Sequence, residues 1–137
     1  MKKILLFGLL FCSTIMYGQT NELFVYLCQY EVQTATGEKT RLDSRRYFNC
    51  KFNADKSVCY ETEYDGSVIG KEGHVYNYLK TENNIRVYVT YYNNNKSTRY
   101  LYFTPDYSKM NTPGGYHQVF SYDRVFPDKK GTPTQVW

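Results

Sequence analysis

The stretch HVYNYLKTENNIRVYVTYYNNNKSTRYLYF, residues 74–103, decides the fold, because apolar or aromatic side chains alternate with polar ones on either side of two asparagine-rich interruptions. Alternation with a period of two residues is typical of β-strands. Four-residue loops at 81–84 and 93–96 would join three such strands into two consecutive hairpins. The stretch therefore predicts a three-stranded antiparallel meander.

The pairing across these two loops also predicts which side chains enter the core, since a shift of one residue exchanges the two faces of a strand. The first loop pairs Tyr78 with Val87, and the second pairs Val87 with Tyr102. Both loops thus place the same set of residues on one face. The predicted core face consists of Tyr76, Tyr78, Ile85, Val87, Val89, Tyr100 and Tyr102. The opposite face mixes polar and apolar residues, so we expect another part of the protein to cover some of it.

Similar runs recur between turn signals in the rest of the chain, at 22–32, 45–52, 57–64 and 117–125. After the first 20 residues no stretch has sustained helical periodicity. The sequence predicts an all-β fold, an antiparallel meander of six or seven strands that forms a small barrel or a two-sheet sandwich. We expect a single β-rich domain over 19–126 and an extended C-terminal tail over 127–137.

The first 18 residues, MKKILLFGLLFCSTIMYG, have the layout of a secretory signal peptide: two lysines, a short apolar run, then small and polar residues. We expect cleavage near Gly18 and Gln19, and hence export to the periplasm or the cell exterior. The apolar run is too short for a transmembrane anchor, which needs roughly 20 residues. Phe11 precedes Cys12 where a lipidation signal has a small residue, which argues against lipidation.

Removing the leader changes the charge of the protein. The 137 residues less the 18 of the leader leave 119, and the loss of Lys2 and Lys3 lowers the formal net charge from +4 to +2. A nearly neutral surface with charges of both signs is not typical of a nucleic-acid-binding protein, which clusters its basic residues. We therefore expect no nucleic-acid partner.

Two stretches, KFNADKSVCY (51–60) and YFTPDYSKMN (102–111), share an order of residues in which phenylalanine is followed by an aspartate and, two positions later, a serine. Asparagine or threonine before the turn and aspartate within it can bond the turn backbone, and proline presets the backbone angle φ. We interpret Asp55 and Asp106 as turn residues rather than as catalytic acids.

The alternative interpretation is a small secreted hydrolase that uses a carboxylate and a histidine. It requires Asp55, Asp106 or Asp65 to meet His74 or His117 in one concave pocket. No spacing of His, Cys or acidic residues matches a metal site. We therefore predict neither a metal nor a cofactor.

The chain after the leader has three cysteines, Cys28, Cys50 and Cys59, an odd number for an exported protein. A four-residue loop (53–56) would place Cys50 opposite Cys59 in a hairpin. A five-residue loop (53–57) pairs Phe52 with Val58 and separates apolar from charged side chains more cleanly. We prefer the second register, which puts the two thiols on opposite faces and argues against a Cys50–Cys59 disulfide.

The candidate binding residues are Tyr88, Tyr92, Arg86 and Arg99, from the tyrosine-rich run at 86–103. Exposed tyrosine rings beside arginines are favoured in binding surfaces. We expect a small exported bacterial protein that acts as a non-enzymatic binding or envelope-associated β module. Its expected partner is a protein, peptide or glycan of the cell envelope.

Overall fold

A computed structural model describes residues 22–63, 65–70, 74–92, 94, 97–114 and 117–126 of the chain. The predicted leader, the predicted tail and part of the 93–96 loop lie outside the described residues. Eight strands follow one another in chain order: β1 (Phe24–Gln33), β2 (Lys39–Phe52), β3 (Val58–Glu61), β4 (Val75–Glu82), β5 (Ile85–Tyr92), β6 (Ser97–Phe103), β7 (Lys109–Pro113) and β8 (Gln118–Val125).

These strands form one antiparallel meander, in which each strand pairs with the next and β8 pairs with β1 to close the sheet into a ring. The predicted all-β antiparallel meander is confirmed. The ring is the barrel-like alternative rather than two separate sheets. The strand count was wrong by at least one, because β7 is a short, mostly polar strand in which Met110 is the only large apolar side chain.

The β5–β6 pairing agrees with the prediction, since Val87 is opposite Tyr102. The β4–β5 pairing does not. The turn consists of only two residues, Asn83 and Asn84, which have φ angles of 51° and 64°. Positive φ at both central positions is the type I′ geometry that suits the twist of a hairpin, and asparagine tolerates it. An irregularity between Tyr78 and Lys80 shifts the register again.

The interior of the ring is lined by the face that we did not predict. The main buried cluster contains Tyr88, Leu101 and Phe103, whereas Val87 and Val89 alternate with Tyr88 and belong to the outer face. The predicted core face was therefore wrong for β5 and β6. The physical reason is size: a closed ring of eight strands leaves an interior that large side chains must fill, and the tyrosine and phenylalanine positions supply that volume.

Aromatic rings fill the middle of the ring. Phe52 is fully buried, and its ring centroid lies 5.0 Å from that of Phe24, 5.1 Å from Tyr107, 5.5 Å from Phe103 and 5.8 Å from Tyr88. The four contacts have edge-on geometry, which aromatic pairs prefer over face-to-face packing. This central plug separates the space at one end of the ring from the space at the other.

Strand β1 is buried on both faces. Tyr26 and Cys28 belong to the interior cluster, while Val25 and Leu27 form a second buried cluster with Val125 on the alternate face. Successive side chains of a strand point to opposite faces, so a nearly continuous apolar run is buried on both. Among the described residues, no helix has the length and apolar character needed to cross a membrane.

Candidate functional site

The two ends of the ring carry different loops. One end, which we call the aspartate end, collects the β2–β3 loop with Asp55, the β6–β7 loop with Asp106 and the β4–β5 turn. At the opposite end lies a cavity that we call the arginine cavity, which contains Arg46 and Arg99 in its lining.

The two aspartate loops have nearly the same geometry. In the first, the Ser57 amide and hydroxyl donate to Asp55 Oδ1 at 3.0 and 2.7 Å. In the second, the Ser108 amide and hydroxyl donate to Asp106 Oδ1 at 3.0 and 2.7 Å. The two loops thus have the same turn, in which the aspartate carboxylate accepts a hydrogen bond from the backbone amide two residues later. This is the arrangement expected from turn residues.

The residue between aspartate and serine has positive φ in both loops, 57° at Lys56 and 60° at Tyr107. The Tyr107 ring turns into the interior and is 5% exposed. Its carbonyl accepts from the Tyr26 hydroxyl at 2.8 Å, and its hydroxyl contacts that of Tyr88 at 2.9 Å. Tyr107 therefore covers the interior of the strand ring at the aspartate end.

Outside Tyr107, a shallow cleft of ≈ 500 Å³ is lined by three cationic and three acidic side chains: Lys56, Arg86 and Arg124 with Glu22, Asp55 and Asp106. The charges are largely committed to one another or to nearby rings. Arg124 donates to Glu22 Oε1 at 2.8 Å, and the guanidinium of Arg86 lies 5.5 Å from the centre of the Tyr107 ring. Balanced charges of this kind give the cleft no preference for a ligand of either sign.

The hydrolase alternative requires a histidine at this cleft, and neither histidine lines it. His74 Nδ1 lies 2.8 Å from Glu61 Oε2, and the carbonyl of His117 accepts from Thr34. Hydrogen bonds from Ser57 and Ser108 lower the pKa values of Asp55 and Asp106, so both carboxyls are held ionised. A general acid needs a raised pKa. Asp55 and Asp106 therefore meet no histidine in this cleft, and the carboxylate that contacts His74 is that of Glu61.

The arginine cavity has a volume of ≈ 610 Å³. Two arginines, Arg46 and Arg99, line it, and its described lining contains no carboxylate. Neither guanidinium forms an ion pair with a described acidic residue. Five aromatic residues contribute to its walls: Phe48, Tyr92, Tyr100, Phe120 and Tyr122.

Electrostatic interactions within the ring show that the two arginines approach the same group. Burial raises the pKa of the Tyr122 hydroxyl, and Arg46 and Arg99 both oppose that rise. The Arg46 guanidinium also lies 4.5 Å from the centre of the Phe120 ring. Both arginine side chains remain exposed. Two positive charges and the Tyr122 hydroxyl thus line the same cavity.

A buried polar atom without a partner lies close to this cavity. The Tyr76 hydroxyl is fully buried and has no hydrogen-bond partner among the described residues. Burial and the negative charge of Glu61 raise its pKa, whereas Arg99 lowers it, and the Tyr76 ring lies 6.1 Å from that of Phe48, which lines the cavity. Buried hydroxyls almost always have a partner, and one left over marks a place for a water molecule or a ligand.

The four residues that the sequence suggested as one binding surface lie at the two ends and in the middle of the strand ring. Tyr92 and Arg99 line the arginine cavity, and Arg86 lines the cleft at the aspartate end. Tyr88 is fully buried between them. All four occupy inward-facing positions of β5 and β6, which is why they do not form an exposed patch.

Sequence reasoning missed Arg46, Phe120, Tyr122 and Tyr76. One signal for Arg46 was present, because it alternates with Phe48, Cys50 and Phe52 and therefore shares their inward face. An arginine in register with a core face is costly to bury without a partner, so such a position indicates a cavity or a ligand.

The cysteine register also differs from both of the registers considered. Cys50 is opposite Glu61 and Phe52 is opposite Cys59, a pairing that neither predicted register gives. The preferred register, with the two thiols on opposite faces, was wrong: Cys50 and Cys59 both belong to the interior cluster. The register differs because Asn53 and Val58 still pair through the backbone and through the Asn53 side chain, which leaves a loop at 54–57. All three described cysteines are free thiols.

Among the described residues, no group of three or more His, Cys, Asp or Glu side chains is arranged to hold a metal ion. Comparison of the chain with protein families, with curated proteins and with solved structures gave no match.

Proposed function

We propose that this protein is a non-enzymatic binding module that holds a small organic anion with an aromatic or apolar body in the arginine cavity. The observation that carries the proposal is the pair Arg46 and Arg99, which have no acidic partner among the described residues, in a cavity walled by aromatic rings. The earlier expectations of export and of an envelope partner remain part of the proposal.

The size of the cavity suits such a ligand. Sites for small molecules have volumes of about 300–1,000 Å³ and combine apolar walls with a few well-placed polar groups. The cavity of ≈ 610 Å³ falls within that range. Phe48, Phe120 and Leu101 offer apolar surface, while the hydroxyls of Tyr92 and Tyr122 can donate hydrogen bonds. A ligand with a planar or apolar body is therefore favoured over a free inorganic ion.

The charge of the cavity supports an anion. Two like charges near one hydroxyl repel each other, and an anion between them relieves that repulsion. Guanidinium groups bind carboxylate, sulfonate and phosphate oxygens through paired hydrogen bonds. The unpartnered Tyr76 hydroxyl is a further donor for the ligand or for a bridging water.

A pair of fluorescent probes tests the proposal. Anilinonaphthalene sulfonate is anionic and aromatic, and phenylnaphthylamine has the same rings without the sulfonate. We expect the sulfonate to bind the folded protein saturably, with a Kd at least about tenfold below that of the neutral amine. Circular dichroism before and after addition checks that the protein stays folded.

Matched variants locate the site. Arg99→Gln and Arg46→Gln should each raise the Kd of the sulfonate about fivefold, because an exposed charge pair contributes roughly 1 kcal/mol. Arg45→Gln removes the same charge from the neighbouring position of β2, which does not line the cavity, and should change the Kd little. Equal binding of both probes, no saturable binding of either, or equal effects of Arg45→Gln and Arg99→Gln would contradict the proposal.

A further inference from the structure

We propose that Cys50 and Cys59 form a disulfide between β2 and β3, inside the ring, when the protein folds in the presence of a disulfide oxidant. The oxidant is a small-molecule disulfide such as oxidised glutathione, or the disulfide of a thiol oxidase. The proposal is independent of the proposed ligand.

The sheet register brings the two thiols together. Cys50 and Cys59 occupy neighbouring inward positions of adjacent strands, on a diagonal between the pairs Cys50–Glu61 and Phe52–Cys59. Backbone hydrogen bonds join Thr62 to Asn49 and Asn53 to Val58, on the two sides of these pairs. The pairs Cys50–Glu61 and Phe52–Cys59 are therefore of the type without mutual hydrogen bonds, and Cys50 and Cys59 are diagonal neighbours on one face, a relation in which the Cα atoms are roughly 7–8 Å apart.

The two thiols share one buried environment. Both side chains are fully buried in the same interior cluster. Burial, followed by a hydrogen bond with the Cys50 thiol, raises the pKa of the Cys59 thiol well above its usual range. The Cys50 thiol is thus close enough to Cys59 to affect its ionisation. A disulfide requires β3 to move toward β2, and β3 has only four residues and three pairs with β2 to hold it in place.

The reaction balances as two thiol–disulfide exchanges. The thiolate of one cysteine attacks the oxidant disulfide and releases one thiol; the second cysteine then attacks the mixed disulfide and releases the other. Two thiols of the protein are oxidised to one disulfide, and one disulfide is reduced to two thiols. Because a buried thiol with a raised pKa reacts slowly, this exchange must occur before the ring closes.

Cys28 is the matched control within the chain. It is also fully buried, but its thiol donates to the carbonyl of Tyr30 at 3.3 Å. Cys28 lies on β1, which pairs with the other edge of β2, and it is opposite Arg46. We expect Cys28 to remain a thiol after oxidative refolding.

The test uses the full chain with Cys12→Ser, which removes the one cysteine outside the described residues. The protein is refolded with oxidised and reduced glutathione, and thiols are then counted by alkylation in denaturant and located by peptide mapping. We expect one free thiol, Cys28, and a Cys50–Cys59 crosslink. The crosslink should raise the Tm by roughly 5–10 °C relative to the same protein under reductant.

A second variant keeps the test independent of folding defects. Cys28→Ser should retain the reductant-dependent shift in Tm, whereas Cys59→Ala should lose it. Three free thiols after refolding, a stable mixed disulfide with glutathione, or a crosslink that includes Cys28 would each overturn the proposal.

Discussion

Replacing Tyr26 by phenylalanine removes one hydroxyl from the interior and keeps the aromatic side chain in place. That hydroxyl donates to the carbonyl of Tyr107 at 2.8 Å, and the Tyr26 side chain is fully buried. Burial raises the pKa of Tyr26 far above its usual range, so the hydroxyl keeps its proton and acts as a donor. Tyr107 has a φ of 60°, a conformation that a bulky residue adopts only when its surroundings hold it there.

The expected cost follows from what the variant leaves behind. The Tyr107 carbonyl loses its side-chain donor, and a buried acceptor without a partner costs about 1–3 kcal/mol. The ring contacts of Tyr26 are preserved. Tyr26→Phe should therefore lower the free energy of unfolding by about 1–2 kcal/mol, equivalent to a fall in Tm of roughly 5–10 °C.

Urea unfolding followed by far-UV circular dichroism measures this difference as a shift in the midpoint. The control is Tyr91→Phe, which removes a hydroxyl from a side chain that is 52% exposed. If Tyr26→Phe costs less than about 0.3 kcal/mol, or no more than Tyr91→Phe, the hydroxyl does not hold the loop and the reasoning fails.

A double-mutant cycle with Tyr88→Phe extends the same test. The Tyr88 hydroxyl donates to the carbonyl of Lys56 and contacts the hydroxyl of Tyr107. Because Tyr26 and Tyr88 both hold Tyr107, the double variant should lose measurably less stability than the sum of the single variants. Strict additivity would show that the two hydroxyls act independently.

Two further predictions concern the turns. Hydrogen bonds from Ser108 lower the pKa of Asp106 in the folded protein, so this stabilisation is present above the unfolded pKa of about 3.8 and is lost as the pH falls through the folded value. Between pH 5 and about 2 the urea midpoint of Asp106→Asn should fall less than that of the wild type, and equal falls would contradict this account. Asn84→Gly should stabilise the protein by about 0.5 kcal/mol and Asn84→Ala should destabilise it by about 1 kcal/mol, since φ is 64° there. The opposite order in urea unfolding would show that the turn conformation is not the controlling factor.

The alternation of residues was sufficient to predict the strands and their antiparallel order, because period two is a local property of the chain. It was also sufficient for the β5–β6 register, where Val87 meets Tyr102. It did not identify the inner face, since both faces of these strands carry apolar side chains. What distinguishes the faces is the volume that a closed ring must fill, and that depends on the number of strands and on the pairing of β8 with β1.

Part of the candidate site was predicted, because a local pattern selects residues of one run but not residues that only the closed ring brings together. Tyr92 and Arg99 were selected because tyrosine and arginine are adjacent in one tyrosine-rich run, and both line the arginine cavity. Arg46 and Tyr122 come from β2 and β8, which meet the same cavity only because the ring closes. The two-residue Asn83–Asn84 turn and the irregularity in β4 change the pairing of β4 with β5, and the alternation of residues shows neither of them.

The closure of the ring also governs how the chain can fold. Seven of the eight pairings join consecutive strands, whereas β1 and β8 are separated by most of the domain and can pair only after the rest of the meander exists. Until then β1, which is apolar on both faces, presents an open edge to other chains. We therefore expect the meeting of the first and last strands to limit the rate of folding, and the interval before it to be the period in which the protein is most prone to aggregate.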